Sequence, residues 1–236
     1  MTAQHTVKSF DDELRQLHFI VARMGGLAEE QLANALSAIT SQDSSLALQT
    51  IQADAKVDEL ERQADQQVVQ LLALRQPLAN DLRAIISALR IAAHIERIAD
   101  YAKNVAKRSI SLNELPAVQP VHSIPRIGKA AISMLKDVLD AYNANDAAKA
   151  LEVWNRDETL DDLYNSLFRE LLTYMMEDPR TITACTHLMF MAKNIERAGD
   201  HVTNIAELVS FRSTGQSFAE ARRKGSGALY TTDAAS

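Results

Sequence analysis

Apolar residues recur at intervals of three and four along most of the chain, the spacing of one face of an α-helix. One apolar stripe runs from Leu14 to Ile39, a second from Val57 to Leu74 and a third from Leu82 to Ala93. Runs of alternating apolar and polar residues between turn signals, which would indicate strands, are missing from the pattern. The chain is therefore predicted to be all-α.

Polar and proline-containing breaks divide this pattern into six predicted helices. The helices cover approximately 9–40, 44–76, 80–110, 125–143, 146–177 and 181–212. Helices that are joined by short turns must lie antiparallel to their neighbours. Three helices before the proline-rich segment and three after it predict two tandem antiparallel three-helix bundles. The predicted boundaries are 1–112 for the first bundle, 113–124 for a linker, 125–212 for the second bundle and 213–236 for a flexible tail.

An internal repeat relates the two halves. The segment IERIADYAKNVA (95–106) returns as IERAGDHVTNIA (195–206), 100 residues later. Upstream, DAKVDEL (54–60) resembles DETLDDL (157–163) at an offset of 103 residues. A repeat that spans two helices of each bundle indicates that the bundles arose by internal duplication.

The repeated segments carry acidic residues at helical spacing. Glu96 and Asp100 lie four residues apart, where two like charges repel each other and slightly destabilise a helix. Counting from the turn near residue 78 places Asp58 level with residue 98 on the next helix, at 1.5 Å of rise per residue. The same count brings the acids on the two corresponding helices of the second half to one level. The eight candidate ligands are Asp54, Asp58, Glu96 and Asp100 in the first bundle and Asp157, Asp161, Glu196 and Asp200 in the second.

Carboxylates gathered in this way favour a cation site in each bundle. Sites rich in carboxylates and poor in His and Cys suit Mg, Ca, Mn or Fe, and several carboxylates can bridge more than one metal. The competing interpretation is an ordinary solvated acidic face with i,i+3 pairs such as Arg97–Asp100. Repetition of the motif and its match in height with acids on the partner helix favour the cation site.

Charge and cysteine content narrow the classes of function. The formal net charge is −6, which disfavours nucleic-acid binding. A single cysteine, Cys185, allows no internal disulfide and suggests a cytoplasmic protein. No apolar run approaches 18 residues, so we expect the chain to be at most peripheral at a membrane.

In combination, these motifs resemble the PhoU family of phosphate-transport accessory proteins. The resemblance rests on the two I-E-R-x-x-D-x-x-x-N segments, on RQPLANDLR (75–83) and TYMMEDPRTI (173–182) before them, and on MGGLAEEQL (24–32) near the N-terminus. It covers approximately residues 5–212. Ala99 stands where the family often has glycine, which leaves the candidate ligands unchanged.

The resemblance implies two similar three-helix bundles in a cytoplasmic regulator that represses the phosphate-starvation response when phosphate is plentiful. The implied partners are the ATPase subunit of the high-affinity phosphate importer and a sensor histidine kinase, and members of the family are commonly homodimers. Some members bind divalent or trivalent metal ions, including multinuclear clusters, through E-x-x-x-D motifs. Those motifs correspond here to Glu96/Asp100 and Glu196/Asp200, and Fe, Mn, Mg and Zn remain open as the metal.

The alternative function is a carboxylate-bridged metal enzyme, such as a di-iron oxidase in a helical bundle. That class uses four helices and Glu-x-x-His pairs, and the chain contains no E-x-x-H sequence. His94 and His201 flank the acidic motifs at a different spacing and are expected to point away from them. A P-loop is also missing. The sequence therefore predicts a regulatory adaptor without enzymatic activity.

Overall fold

The protein consists of long α-helices and two short 3₁₀ helices. A computed structural model describes residues 2–215, with side chains from Phe10 onward. The helices are α1 (Thr2–Ser41), α2 (Ser44–Arg75), α3 (Ala79–Asn113), α4 (Ile124–Ala144), α5 (Ala147–Asn155), α6 (Asp157–Glu177) and α7 (Ile182–Thr214), with 3₁₀ helices at Gln119–Ser123 and Pro179–Thr181. The described residues contain no strand, which confirms the all-α prediction. Nearly all of the predicted tail lies outside the described residues.

The helices form two three-helix bundles that pack side by side, as predicted. Helices α1, α2 and α3 pack against one another, and α4, α5–α6 and α7 form the second bundle. The bundles meet chiefly where α3 packs against α7, with α1 packing against α4 as a second contact. This arrangement places the two repeated acidic segments on neighbouring helices at the centre of the molecule.

The duplication extends to the helix caps. Asp43 caps α2 by accepting hydrogen bonds from Ser45 N at 2.9 Å and Leu46 N at 3.0 Å. Asp146 caps α5 with the same pair of bonds at the same distances. The two aspartates are 103 residues apart, the offset already seen upstream of the acidic segments. A side-chain cap of this kind satisfies backbone N–H groups that otherwise lack partners at a helix start.

The predicted helix 146–177 is interrupted at Arg156, so that prediction was wrong at one point. The backbone N–H of Arg156 bonds to Val153 O at 3.0 Å, a 3₁₀-type bond that ends α5. Its guanidinium reaches α4, donating to Asp137 Oδ2 at 2.6 Å and Ser133 Oγ at 2.8 Å. Neither proline nor glycine marks the break, so no local signal in the sequence indicates it.

The acidic segments lie at the border of the core. On α3 the fully buried stripe is Ile91, Ile95, Ile98, Ala102 and Val105, each 0% exposed. Leu82, where the third apolar stripe of the sequence begins, is 41% exposed, so that stripe is not the buried face of α3. Glu96 and Asp100 are half-buried on this flanking face. This position leaves them desolvated in part and still reachable by ions.

One pair of core residues differs between the two bundles, and the changes in side-chain size compensate each other. Gly199 lies against Leu160, and a Cβ at Gly199 would fall well inside van der Waals contact of Leu160 Cδ2. By the repeat offsets, the corresponding residues of the first bundle are Ala99 and Val57, both 0% exposed. The first bundle thus combines alanine with valine, and the second combines glycine with leucine.

Gly199→Ala is expected to destabilise the protein by about 1 kcal/mol. Overpacking against Leu160 costs about 1–3 kcal/mol, and the better helix propensity of alanine returns about 1 kcal/mol. Adding Leu160→Val should recover the loss, because the pair then matches Val57 and Ala99. The measurement is urea unfolding of the single and double variants.

Gly26→Ala is the control: no atom lies within 4 Å of its added Cβ, so it should not destabilise. Additive effects of Gly199→Ala and Leu160→Val would contradict the packing argument.

Candidate cation sites

The first acidic strip consists of Asp54, Asp58 and Glu61 on α2 and Glu96 and Asp100 on α3. The charges of Asp58, Glu61 and Asp100 all act on Glu96, and those of Asp58 and Asp100 act on Asp54. The four predicted residues therefore come together as the helix register indicated. Sequence reasoning missed Glu61, although its place one turn after Asp58 was an available signal.

Desolvation dominates the electrostatics of the first acidic strip. Burial, followed by repulsion from Asp100, raises the pKa of Glu96 to about 7. Burial also raises the pKa of Asp54, against the opposing effect of Lys103. Ionising these carboxylates together is unfavourable unless a cation lies close by.

Lys103 supplies a cation from within the chain. Its ammonium donates to Asp54 Oδ2 at 2.5 Å and to Asp100 Oδ1 at 3.1 Å, and so links α2 to α3. These hydrogen bonds raise the pKa of Lys103 above its usual range. Arg97 lies at the edge of the strip, 3.0 Å from Glu96 Oε2 and 58% exposed. A metal ion entering between Asp54 and Asp100 must displace the Lys103 ammonium.

The second acidic strip consists of Asp157 and Asp161 on α6 and Glu196 and Asp200 on α7. Burial raises the pKa of Glu196, with Asp200 and Asp161 adding to the effect and Lys193 opposing it. Asp157 is the first residue of α6 and is buried, a position where the helix dipole favours a negative charge. Lys193 Nζ lies 2.6 Å from Glu196 Oε2. Asp161, Glu196 and Asp200 thus come together between α6 and α7, and Asp157 lies one turn before Asp161 on α6.

The two strips differ in the residues that accompany the repeated carboxylates. Thr203 takes the place of Lys103 and donates through Oγ1 to the backbone oxygen of Asp200 at 2.8 Å. Tyr164 takes the place of Glu61, and its ring lies 5.3 Å from Lys193 Nζ. The second strip therefore has one carboxylate fewer and no lysine at the position of Lys103.

The donor chemistry of both strips fits a hard cation. Every candidate ligand offers carboxylate oxygen, the donor that Mg, Ca and Mn prefer. Repulsion from neighbouring carboxylates adds to burial in raising the pKa of Glu96 and Glu196, and a bound cation would offset that repulsion. In the described part of the chain, no three His, Cys, Asp or Glu side chains are already arranged to hold a metal ion. Binding would therefore require side-chain rotation, with the departure of Lys103 in the first strip and of Lys193 in the second.

His94 and His201 contact each other across the junction of the two bundles. Their Nδ1 atoms are 2.9 Å apart, so one nitrogen must donate and the other accept. Burial and the neighbouring charge of His201 lower the pKa of His94 to about 4. The contact between the two histidines joins α3 to α7, and the charge of Asp200 also acts on His201.

Together, these features define a duplicated helical-bundle protein with a carboxylate-rich strip in each bundle. No helix among residues 2–215 has the length and apolar character needed to cross a bilayer. The family model of the PhoU domain matches residues 21–109 and again 124–209, one match for each bundle.

Similar proteins agree with this match over most of the chain. The phosphate-specific transport system accessory protein PhoU homolog of Caulobacter vibrioides is 50% identical over 94% of this chain and 96% of its own length. The homolog of Zymomonas mobilis is 48% identical over 93% and 92%. The crystal structure of PhoU from Pseudomonas aeruginosa superposes with a TM-score of 0.85 at 40% identity, covering 88% of this chain and 100% of that one. The chain belongs to the PhoU family.

Proposed function

We propose that this protein is a regulatory adaptor of phosphate transport that represses phosphate uptake and the phosphate-starvation response when phosphate is plentiful. In this role it couples the ATPase subunit of a high-affinity phosphate importer to a sensor histidine kinase, in the cytoplasm and at most peripherally at the membrane. The observation that carries the proposal is membership of the PhoU family in both bundles, with relatives named as accessory proteins of the phosphate-specific transport system.

Exposed apolar side chains support an adaptor role. At the α2–α3 turn, Leu74 is 65% and Leu78 80% exposed. At the corresponding α6–α7 turn, Met176 is 84% and Ile182 47% exposed. The two turns lie at opposite ends of the molecule because α3 and α7 run antiparallel, with Arg83 beside Gly215 and Arg108 against Phe190. Apolar groups left in solvent at equivalent turns of both bundles are typical of surfaces that dock on other proteins. Homodimerisation is part of the proposal, since such surfaces also serve contacts between identical chains.

Metal ions are proposed to bind at the two acidic strips, one site in each bundle. Glu96 and Asp100, with Asp54 and Asp58 opposite, would hold the first, and Glu196 and Asp200, with Asp157 and Asp161 opposite, the second. A bound divalent or trivalent ion would supply positive charge that joins two helices of a bundle. The carboxylates would bind and orient it, and their half-buried position would limit access of water. We assign this metal a structural role, because the chain contains no Glu-x-x-His pair of the kind that di-iron oxidase centres use.

Deleting the gene is expected to derepress a phosphate-starvation reporter in phosphate-rich medium. The adaptor would no longer convey the state of the importer to the kinase, so the reporter should reach the level that the wild type shows only under starvation. Restoring the intact chain from a plasmid should restore repression. Full repression in the deletion strain at high phosphate would refute the proposed function.

A further inference from the structure

A strongly cationic cleft lies between α3 and α7, where the two bundles meet. Its volume is about 480 Å³. Lys107 and Arg108 line it from α3, and Lys193 and Arg197 line it from α7, without any carboxylate among the lining residues. We infer that this cleft binds a small anion that carries phosphate groups.

Most of the positive charge in the cleft is not neutralised by the protein. Lys107 and Arg197 are exposed, and the salt bridges formed within the described residues include neither of them, nor Arg108. Arg108 places its guanidinium 4.2 Å from the centre of the Phe190 ring, which leaves its N–H edge able to donate to a ligand. Among the described residues, Lys193 is the one of these four cations with a carboxylate partner, Glu196 at 2.6 Å. Cations gathered in one concave site raise the local concentration of anions, here on a chain whose net charge is −6.

Further polar side chains complete the lining of the cleft. Asn104 and Ser111 of α3 and His187 and Asn194 of α7 face the same space. His187 Nδ1 is buried and has no hydrogen-bond partner among the described residues. A buried nitrogen without a partner costs free energy, and a ligand oxygen or water at this point would remove that cost. This observation is independent of the charges and also points to an occupant.

Size and charge select the class of ligand. A site of this volume falls in the usual range for small-molecule pockets and has room for more than one phosphate group. Arginine forks recognise phosphate oxygens bidentately, and lysines add point charge. Four cations are matched best by an anion of several charges, so pyrophosphate and nucleoside triphosphates should bind more tightly than inorganic phosphate.

The test is calorimetric titration of metal-stripped, full-length protein with inorganic phosphate, pyrophosphate and ATP. The variant Lys107→Gln/Arg108→Gln should weaken binding of pyrophosphate at least 10-fold. A control with the same charge change, Arg126→Gln/Lys136→Gln, alters exposed residues of α4 outside the cleft and should leave binding unchanged. Circular dichroism of both variants checks that they fold.

Two outcomes would overturn the inference. One is the lack of saturable binding of all three anions by the wild type at millimolar concentration. The other is equal weakening by the cleft variant and the α4 control, which would indicate attraction to the overall charge alone. Arg197→Gln offers a second route, since this exposed residue approaches the cleft from the other bundle and its loss should also weaken binding of pyrophosphate. The result does not depend on phosphate regulation, which the reporter assay tests separately.

Discussion

Glu196→Gln combined with Asp200→Asn is expected to weaken metal binding at the second acidic strip by about 100-fold or more. Loss of groups that only support metal ligands already costs about 10–100-fold in affinity, and these two changes remove charged ligands themselves. The measurement is titration of metal-stripped protein with Mn²⁺, followed by electron paramagnetic resonance. The matched control is Glu158→Gln with Asp162→Asn, since both residues are exposed on α6 next to the proposed ligands.

Lys103 should make the affinity for metal ions lower at the first strip than at the second. Its ammonium already bridges two carboxylates, Asp54 and Asp100. In the second strip Thr203 occupies the equivalent position, and Lys193 pairs with Glu196 without bridging two helices. We therefore expect the first metal ion to fill the second strip, and Lys103→Met to strengthen binding at the first. Lys129→Met, on an exposed face of α4, is the control for loss of a lysine. Equal affinity of the wild type and Lys103→Met at the first strip would refute the role assigned to this ammonium.

Absence of stoichiometric metal in the wild type, even after Mn²⁺, Fe²⁺, Zn²⁺ or Mg²⁺ is added, would refute the metal sites altogether.

In the metal-free protein, Glu96→Gln is expected to raise the free energy of unfolding at pH 8 by about 2 kcal/mol. Burial and Asp100 raise the pKa of Glu96 in the folded state to about 7, from a usual value of 4.5. The folded state therefore binds a proton more tightly, and stability falls as pH rises from about 4.5 to about 7. Each tenfold change in proton affinity corresponds to about 1.4 kcal/mol, and solvent screening at this half-buried position reduces the total to about 2 kcal/mol.

His94 is expected to change the free energy of unfolding with pH in the direction opposite to Glu96. Its pKa is lowered from 6.5 to about 4 in the folded state, so stability falls as pH drops from about 6.5 towards 4. The two effects partly cancel in the wild type between about pH 4.5 and 6.5. Glu96→Gln should expose the acid-side loss that His94 causes, and His94→Gln should expose the alkaline-side loss that Glu96 causes.

Urea unfolding between pH 4.5 and 8, in protein stripped of metal, distinguishes these contributions. Glu59→Gln is a suitable control, since this glutamate is exposed on α2 and should leave the pH profile unchanged. Identical pH profiles for the wild type, Glu96→Gln and His94→Gln would contradict the assigned pKa values. Adding a bound metal ion should remove the effect of Glu96, because the ion favours the ionised carboxylate.

Some features could be predicted because they depend on periodicity alone. The three- and four-residue spacing of apolar positions gave the all-α class, and the offsets of 100 and 103 residues gave the duplication. Counting from the turns placed Asp54 and Asp58 beside Glu96 and Asp100, because two antiparallel helices joined by a short turn share one register. The charge interactions among these residues agree with that count.

Other features escaped prediction because they depend on contacts between helices that are distant in sequence. The break at Arg156 is accompanied by its bonds to Asp137 and Ser133 on α4, and no local signal announced it. Which apolar stripe of α3 faces the core could not be predicted either, since two stripes compete for the core and periodicity cannot rank them.

The sequence by itself determined the helices, their duplication and the pairing of acids within each bundle, since all three follow from spacing along one chain segment. Only the tertiary structure decided how the bundles meet. Packing of α3 against α7 brings His94 to His201 and gathers Lys107, Arg108, Lys193 and Arg197 around one cleft. Residues from separate repeats carry no shared period along the chain, so their proximity is set by the shapes of two buried surfaces.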